Sequence, residues 1–252
     1  MQRKGQGLSE TIKVMQNHRS IRKYTTDPIP RSDLLEIIKA AQGAASSNFV
    51  QAYSIILVTD RDKKEQIARL ANNQGHVNDC PVFLLFCVDW KRTEYAAAKQ
   101  GVRIQHDTVE NFIVGVVDTA LMAQNALTAA ESLGYGGCYI GGVRNNPGPI
   151  SEIVRLPDKV FPLFGMCLGV PAETHQVKPR LPVEAILHEN EYGEEHYQGV
   201  IHAYDQTMQA YYSSRSGNNK QSNWSKTMAQ FLAEKRRGHM REFLAKQGFH
   251  LT

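Results

Sequence analysis

VENFIVGVVDTALMAQNALTAA, residues 109–130, is the longest apolar stretch in the chain, and its reading decides the fold. It has the length of a bilayer span, but Asn111, Asp118, Gln124 and Asn125 interrupt it. It therefore reads as a helix of a globular core and not as a membrane segment. Taken from 107 to 133 it is apolar nearly all round, which predicts burial on several sides. Outward from it the chain alternates. The β-rich runs 52–59 (AYSIILVT) and 81–88 (PVFLLFCV) read as buried strands, with two more at 135–140 and 161–170. Helices are predicted at 32–41 with Ser32 as N-cap, at 60–70 and near 149–155. After Pro171 comes an irregular stretch with Pro179 and Pro182, then helices near 197–212 and 224–245. Four helix-flanked strands around one apolar helix predict a single α+β domain with a helical C-terminal extension.

With 252 residues, 42% hydrophobic and 21% charged, the chain has ample length for a large core. By length it could form one large domain or two small ones. The start of the chain holds no apolar run of signal-peptide length, which points away from secretion. Cys80, Cys87, Cys138 and Cys167 show no CxxC pairing and lie in or beside apolar runs. They read as small core residues in a reducing cytoplasm, not as a disulfide framework or a zinc site. The net charge of +4 is uneven, because residues 215–252 hold eight Lys or Arg against Glu234 and Glu242. The aromatics there (Trp224, Phe231, Phe243, Phe249) fall at core spacings, so a local anionic ligand fits better than nucleic acid.

Four short elements carry chemistry. His18-Arg19-Ser20-Ile21-Arg22 closes a short apolar-periodic stretch and gathers two guanidiniums, an imidazole and a hydroxyl, an anion-binding set. Taken alone, it reads first as a solvated basic helix end. Ala45-Ser46-Ser47-Asn48-Phe49-Val50-Gln51 offers hydroxyls and amides between a helix and a strand. In Gly134-Tyr135-Gly136-Gly137-Cys138-Tyr139-Ile140-Gly141-Gly142, Gly134 suits the C′ position of the long helix. Gly141-Gly142 either lets backbone amides approach a ligand or simply makes a tight turn. Lys178-Pro179-Arg180 holds two cations on a stiff segment, or is a solvated loop. The glycine spacing is not GxGxxG, and GxxxxGK[ST], GxSxG and HExxH are all missing from the sequence.

Taken in order, these elements resemble the flavin-dependent nitroreductase superfamily, in its larger NADPH-dependent group of oxygen-insensitive nitroreductases and flavin reductases. The resemblance rests on His18 to Arg22, Ser46 to Gln51, Tyr139 to Asn146, Leu163-Phe164-Gly165, Lys178 to Pro182 and Trp224-Ser225. It runs from about residue 10 to the end. It implies one nitroreductase-like domain over residues 1–252, with a mostly antiparallel central sheet and a C-terminal extension from about 183. It also implies a cytoplasmic homodimer that binds FMN without a covalent bond at the subunit interface. His18, Arg19, Ser20, Lys178 and Arg180 resemble the phosphate cradle. Arg22, Ser46, Ser47 and Asn48 resemble the groups along the ribityl chain and ring. Gln74 and the backbone of Tyr139, Ile140, Gly141 and Gly142 complete the pocket. Arg215 corresponds to the NADPH-recognising loop, and Lys220 stands where a second arginine is usual. Asn48 stands where a serine is common.

The resemblance implies ping-pong hydride transfer from NADPH through FMN to nitroaromatics, quinones or free flavin, with no catalytic side chain and no metal. The alternatives are another acceptor (a disulfide, chromate or an azo compound) and a flavin-binding sensor without turnover. Neither nucleic acid nor membrane is expected as a partner.

Overall fold

The computed structural model describes residues 7–215 and 219–252. In chain order the elements are α1 (Glu10–Gln16), α2 (Arg31–Gln42), β1 (Tyr53–Leu57), α3 (Arg61–Leu70), α4 (Gly75–Asp79), β2 (Val82–Asp89) and α5 (Lys91–Ala98). They continue with α6 (Val109–Ser132), β3 (Gly136–Ile140), α7 (Pro147–Ile153), β4 (Val160–Gly169), α8 (Tyr197–Ser214), α9 (Trp224–Leu232) and α10 (Met240–Lys246). Two compact units result: Met1–Thr174 with Arg237–Thr252, and His175–Arg236.

In the first unit the four strands form one antiparallel sheet in the order β1-β2-β4-β3. Side chains alternate across a strand. Val82, Leu84 and Phe86 of β2 therefore face α2 and α6, while Phe83, Leu85 and Cys87 face the layer of α3, α4 and α7. This two-sided burial is why β2 reads as an unbroken apolar run. A bulge in β4 opposite Phe86 and Cys87 leaves Leu163 extra, and it accommodates Pro162 in a central strand. The C-terminal α10 and the residues after it return Leu244 and Phe249 to a third cluster with Val88, Trp90 and Phe161. The four cysteines are buried free thiols, as their apolar neighbourhoods predict.

Asp60 caps α3 and Thr108 caps α6 through their side chains. Gly134 follows the end of α6 with φ +87°, the left-handed C′ geometry its position predicts. Ser32 does not cap α2. The helix starts at Arg31 with Pro30 before it, and the Ser32 hydroxyl donates to Asp33 instead. The helix predicted over 224–245 is two. The charged run after Leu232 leaves helical geometry, and Arg237 turns at φ +54° to bond Asn145. Nor is α6 buried all round, because Val109, Ile113, Val117 and Leu121 form an exposed stripe, each 43–50% accessible. Its length and composition would suffice for a membrane crossing. Its other faces pack on the sheet and on α2, as a core helix does.

The second unit is built on α8. Tyr204, Met208 and Tyr212, spaced by one turn, bury one face of that helix against Leu181, Tyr211 and Trp224. Asn223 caps α9, and Ser225 N–H donates to Asp205 of α8 at 2.8 Å.

Candidate functional site

The His18–Arg22 run is not a helix end. α1 stops at Gln16 under an Asn17 cap, and the run continues as extended chain beside β3, with Ile21 N–H donating to Gly137 O at 3.0 Å. Ile21 is buried as the anchor. His18 Nδ1 lies 2.6 Å from Glu131 Oε1 near the C-terminal end of α6, so a carboxylate orients the ring. Arg19 folds over the helix end, donating through Nη1 to Asn17 O (3.0 Å) and Oδ1 (2.6 Å). Arg22 presents an exposed side chain while its N–H donates to Glu173.

The Ser46–Gln51 loop is organised by a residue that the sequence reading passes over as a mere interruption. Asp118 of α6, 1% exposed, accepts from Ser46 Oγ (2.7 Å), Ser47 N–H (3.0 Å) and Ala52 N–H (3.2 Å). Ser46 Oγ in turn accepts from Gln51 N–H at 2.8 Å. Asn48, Phe49 and Gln51 all have left-handed φ, between 46° and 60°. Non-glycine residues there carry strain, so the loop persists because the buried carboxylate over-determines it. The signal was available: a carboxylate inside an otherwise apolar helix is a buried polar group that needs partners. Ser47 and Asn48 are exposed, free to meet a ligand or another chain.

Gln74 donates to Ala71 O at 2.9 Å and packs on Gly142. A Cβ on Gly142 would meet Ala71 O and Gln74 Nε2, each at 2.5 Å, so this glycine is required for packing. Gly141 faces more open space, its nearest neighbour being Arg144 at 3.5 Å. The two form a 3-10 turn directly after β3. Tyr139 is edge-on to Phe164, and its hydroxyl donates to Gln124 of α6 at 3.5 Å. Burial first, then the charge of Glu131, pushes its phenol well above the ordinary tyrosine range.

In the second unit Lys178 and Arg180 are exposed on a strap whose Pro179 carbonyl accepts from Tyr204 Oη at 2.9 Å. Arg215 ends α8 with its guanidinium 6.0 Å from the Tyr211 ring, and Lys220 Nζ lies 4.5 Å from the Tyr212 ring.

α6 divides the first unit's candidates. His18 meets it at Glu131, Tyr139 at Gln124 and the Ser46 loop at Asp118. Glu131 lies thirteen positions after Asp118, about 20 Å along the axis and roughly 140° around it. The Ser46 loop and the His18 segment therefore serve different faces of the helix within one chain. Beside the loop a cleft of about 390 Å³ opens onto the exposed stripe, lined by Ser46, Ser47, Ile113, Val117, Asp118 and Leu121. A larger cleft of about 550 Å³ at the β1 edge holds Asp89 and Arg92, but these satisfy each other, Ser54 and the Tyr53 carbonyl. Among the described residues no His, Cys, Asp and Glu group is arranged to hold a metal ion.

The donor set suits a phosphorylated cofactor with a polar tail. Arginine and lysine heads and a serine hydroxyl answer a phosphate, and a rigid loop of hydroxyls and amides answers a polyol and a heteroaromatic ring. Known protein families match the chain over most of its length. The model described as "Nitroreductase family" matches residues 15–170, and "Nitroreductase family, C-terminal domain" matches 178–252. A Cr(VI) reductase of a Pseudomonas species is 53% identical over 94% of this chain and 98% of its own. An FMN reductase (NADPH) of Bacillus subtilis is 38% identical over 96% of this chain and 99% of its own. The solved NADPH:FMN oxidoreductase of Vibrio harveyi in complex with NAD+ superposes with a TM-score of 0.87 at 42% identity, covering 95% of this chain and 98% of that one. With two family models spanning most of its length and relatives of this closeness, the chain belongs to the nitroreductase family of oxidoreductases.

Proposed function

We propose that the chain is an FMN-dependent NADPH oxidoreductase, soluble and cytoplasmic, that works as a homodimer and reduces nitroaromatics, quinones or free flavin. Its whole length serves as one nitroreductase-like domain per subunit, residues from about 183 being the extension. The observation that carries the dimer is the split of the candidate flavin set across two faces of α6, beside an exposed apolar stripe. A lone subunit would leave Val109, Ile113, Val117 and Leu121 in water, and Ile12 and Met15 of α1 are exposed as well. A second copy seated on that stripe covers it and brings its own Ser46-Ser47-Asn48 loop to the first copy's flavin.

FMN, when bound, supplies the relay of a hydride from NADPH to the acceptor in ping-pong order. The chain's own residues bind and orient. His18, Arg19 and Ser20, with Lys178 and Arg180, take the FMN phosphate by charge-assisted hydrogen bonds. Arg22, Ser46, Ser47 and Asn48 fix the ribityl chain and ring, with Gln74 and the Tyr139–Gly142 backbone completing the pocket. Arg215 and Lys220 select the 2′-phosphate of NADPH. The loop around Ser46 takes its shape from hydrogen bonds within the chain, so a ligand has little of it to order.

The Pseudomonas relative favours chromate as a second acceptor class. The test is direct. The purified protein should be yellow and release FMN on denaturation, and it should oxidise NADPH only with an acceptor such as 1,4-benzoquinone, nitrofurazone, free FMN or chromate. Release of FAD, or flavin binding without NADPH-linked reduction of any of these, overturns the reading.

A further inference from the structure

Tyr212 is 4% exposed, on the same face of α8 as Tyr204 and Met208. Its ring lies 5.7 Å from the Lys178 ammonium and 4.5 Å from the Lys220 ammonium, both within cation–π range. Those two lysines come from segments over forty positions apart in sequence, and both side chains are solvent-exposed. An exposed lysine on four rotatable bonds is otherwise free to point anywhere. Two like charges beside one ring repel, which the ring's negative faces offset and a bound polyanion would offset further. Tyr204 holds the strap from the other end, through the Pro179 carbonyl, so the Lys178 stem leaves a fixed backbone.

We infer that Tyr212 is a positioning residue shared by two phosphate subsites, its ring aiming Lys178 at the FMN phosphate and Lys220 at the 2′-phosphate of NADPH. This rests on the roles proposed above for the two lysines. It assigns Tyr212 no contact with either ligand. Its consequence is that one side chain influences both flavin retention and coenzyme choice, two properties that separate cation sites would set independently.

The test uses the intact holoenzyme, with FMN affinity read by flavin fluorescence and the NADPH and NADH Michaelis constants read with 1,4-benzoquinone. Tyr212→Leu should weaken FMN and raise the NADPH constant, each by about three- to thirtyfold, the span of a cation–π contact, with NADH little changed. Tyr212→Phe should restore both values, because the ring and not the hydroxyl is at work. Tyr212→Leu and Lys220→Ala should be non-additive in the NADPH constant, the second change adding little to the first. Pentafluorophenylalanine at position 212 keeps the ring's shape and reverses its quadrupole, so it should reproduce the leucine phenotype even if the leucine variant is insoluble. Additive single effects, or a fluorinated variant equal to Tyr212→Phe, overturn the inference while leaving the site reading intact. If Lys178→Ala leaves FMN affinity unchanged and Lys220→Ala leaves coenzyme preference unchanged, the site reading itself falls, and this inference with it.

Discussion

Replacing Asp118 by asparagine or alanine probes the loop that presents Ser46, Ser47 and Asn48. The wild-type carboxylate accepts three hydrogen bonds at 2.7–3.2 Å in a place where it is 1% exposed, and no cation pairs with it among the described residues. Hydrogen bonds to a charged group are worth about 1.5–3 kcal/mol each, and a buried donor left without a partner costs about 1–3 kcal/mol. In Asp118→Ala the Ser46 hydroxyl can rotate away, but the Ser47 and Ala52 amides cannot, so the loss should be about 2–6 kcal/mol. Asp118→Asn keeps one carbonyl oxygen and sets an NH2 group against donors, so about 1.5–3 kcal/mol is expected. Part of either loss should appear as release of the loop. Asn48, Phe49 and Gln51 sit at left-handed φ, and freed of the carboxylate they should relax to ordinary backbone. FMN binding must then restore the strained shape, so its affinity should fall by roughly ten- to a hundredfold. Urea denaturation with and without FMN, together with a flavin titration, separates the two effects. Ligand stabilisation grows with the logarithm of concentration over Kd, so the variant should gain less from FMN than the wild type does. An Asp118→Asn protein with wild-type FMN affinity, destabilised equally with and without flavin, would refute the claim that this carboxylate shapes the flavin loop.

Val117 lies in the exposed stripe, whereas its neighbour Val116 packs inside against the third core cluster. Val117→Asp should therefore give monomeric protein that retains little FMN in sedimentation, and a dimeric, flavin-replete variant would count against the seam. Arg215→Ala should raise the NADPH Michaelis constant about ten- to a hundredfold, on the scale of a charge-assisted phosphate contact, with maximal turnover less affected. Equal losses with NADH would assign this arginine to structure or to the shared pyrophosphate. Burial holds the Tyr24 phenol far above its ordinary range, helped by the neighbouring Cys138 and Cys167 thiols, and its hydroxyl donates to Ile21 O at 2.6 Å. The folded state then keeps a proton that the unfolded chain loses above pH ~10. Stability from this group is present below that pH and is lost as pH rises beyond it. Urea midpoints should fall above pH 10, less steeply in Tyr24→Phe, and identical alkaline slopes would contradict this.

The sequence by itself determined the elements whose signal is local. β2 is legible because a strand buried on both faces must be apolar throughout, and α6 because few other segments are so long and so poor in charge. The chemistry of His18-Arg19-Ser20 and of Lys178-Pro179-Arg180 is likewise written in side-chain types, which is why an anionic cofactor could be expected before any fold was known. What tertiary structure decided is where partners come from. Asp118 looks in sequence like a flaw in an apolar helix, yet it is the anchor of a loop 66–72 residues away, because a buried carboxylate must find donors wherever the fold brings them. Glu131 faces His18 across 113 residues for the same reason. The break between α9 and α10 carries Arg237 to Asn145, a long-range contact that no helical propensity contains. The exposed stripe on α6 could not be read from periodicity, since Val117 and Val116 are chemically identical neighbours. Only the sheet packed against one side of that helix distinguishes the valine that is covered from the one that is not.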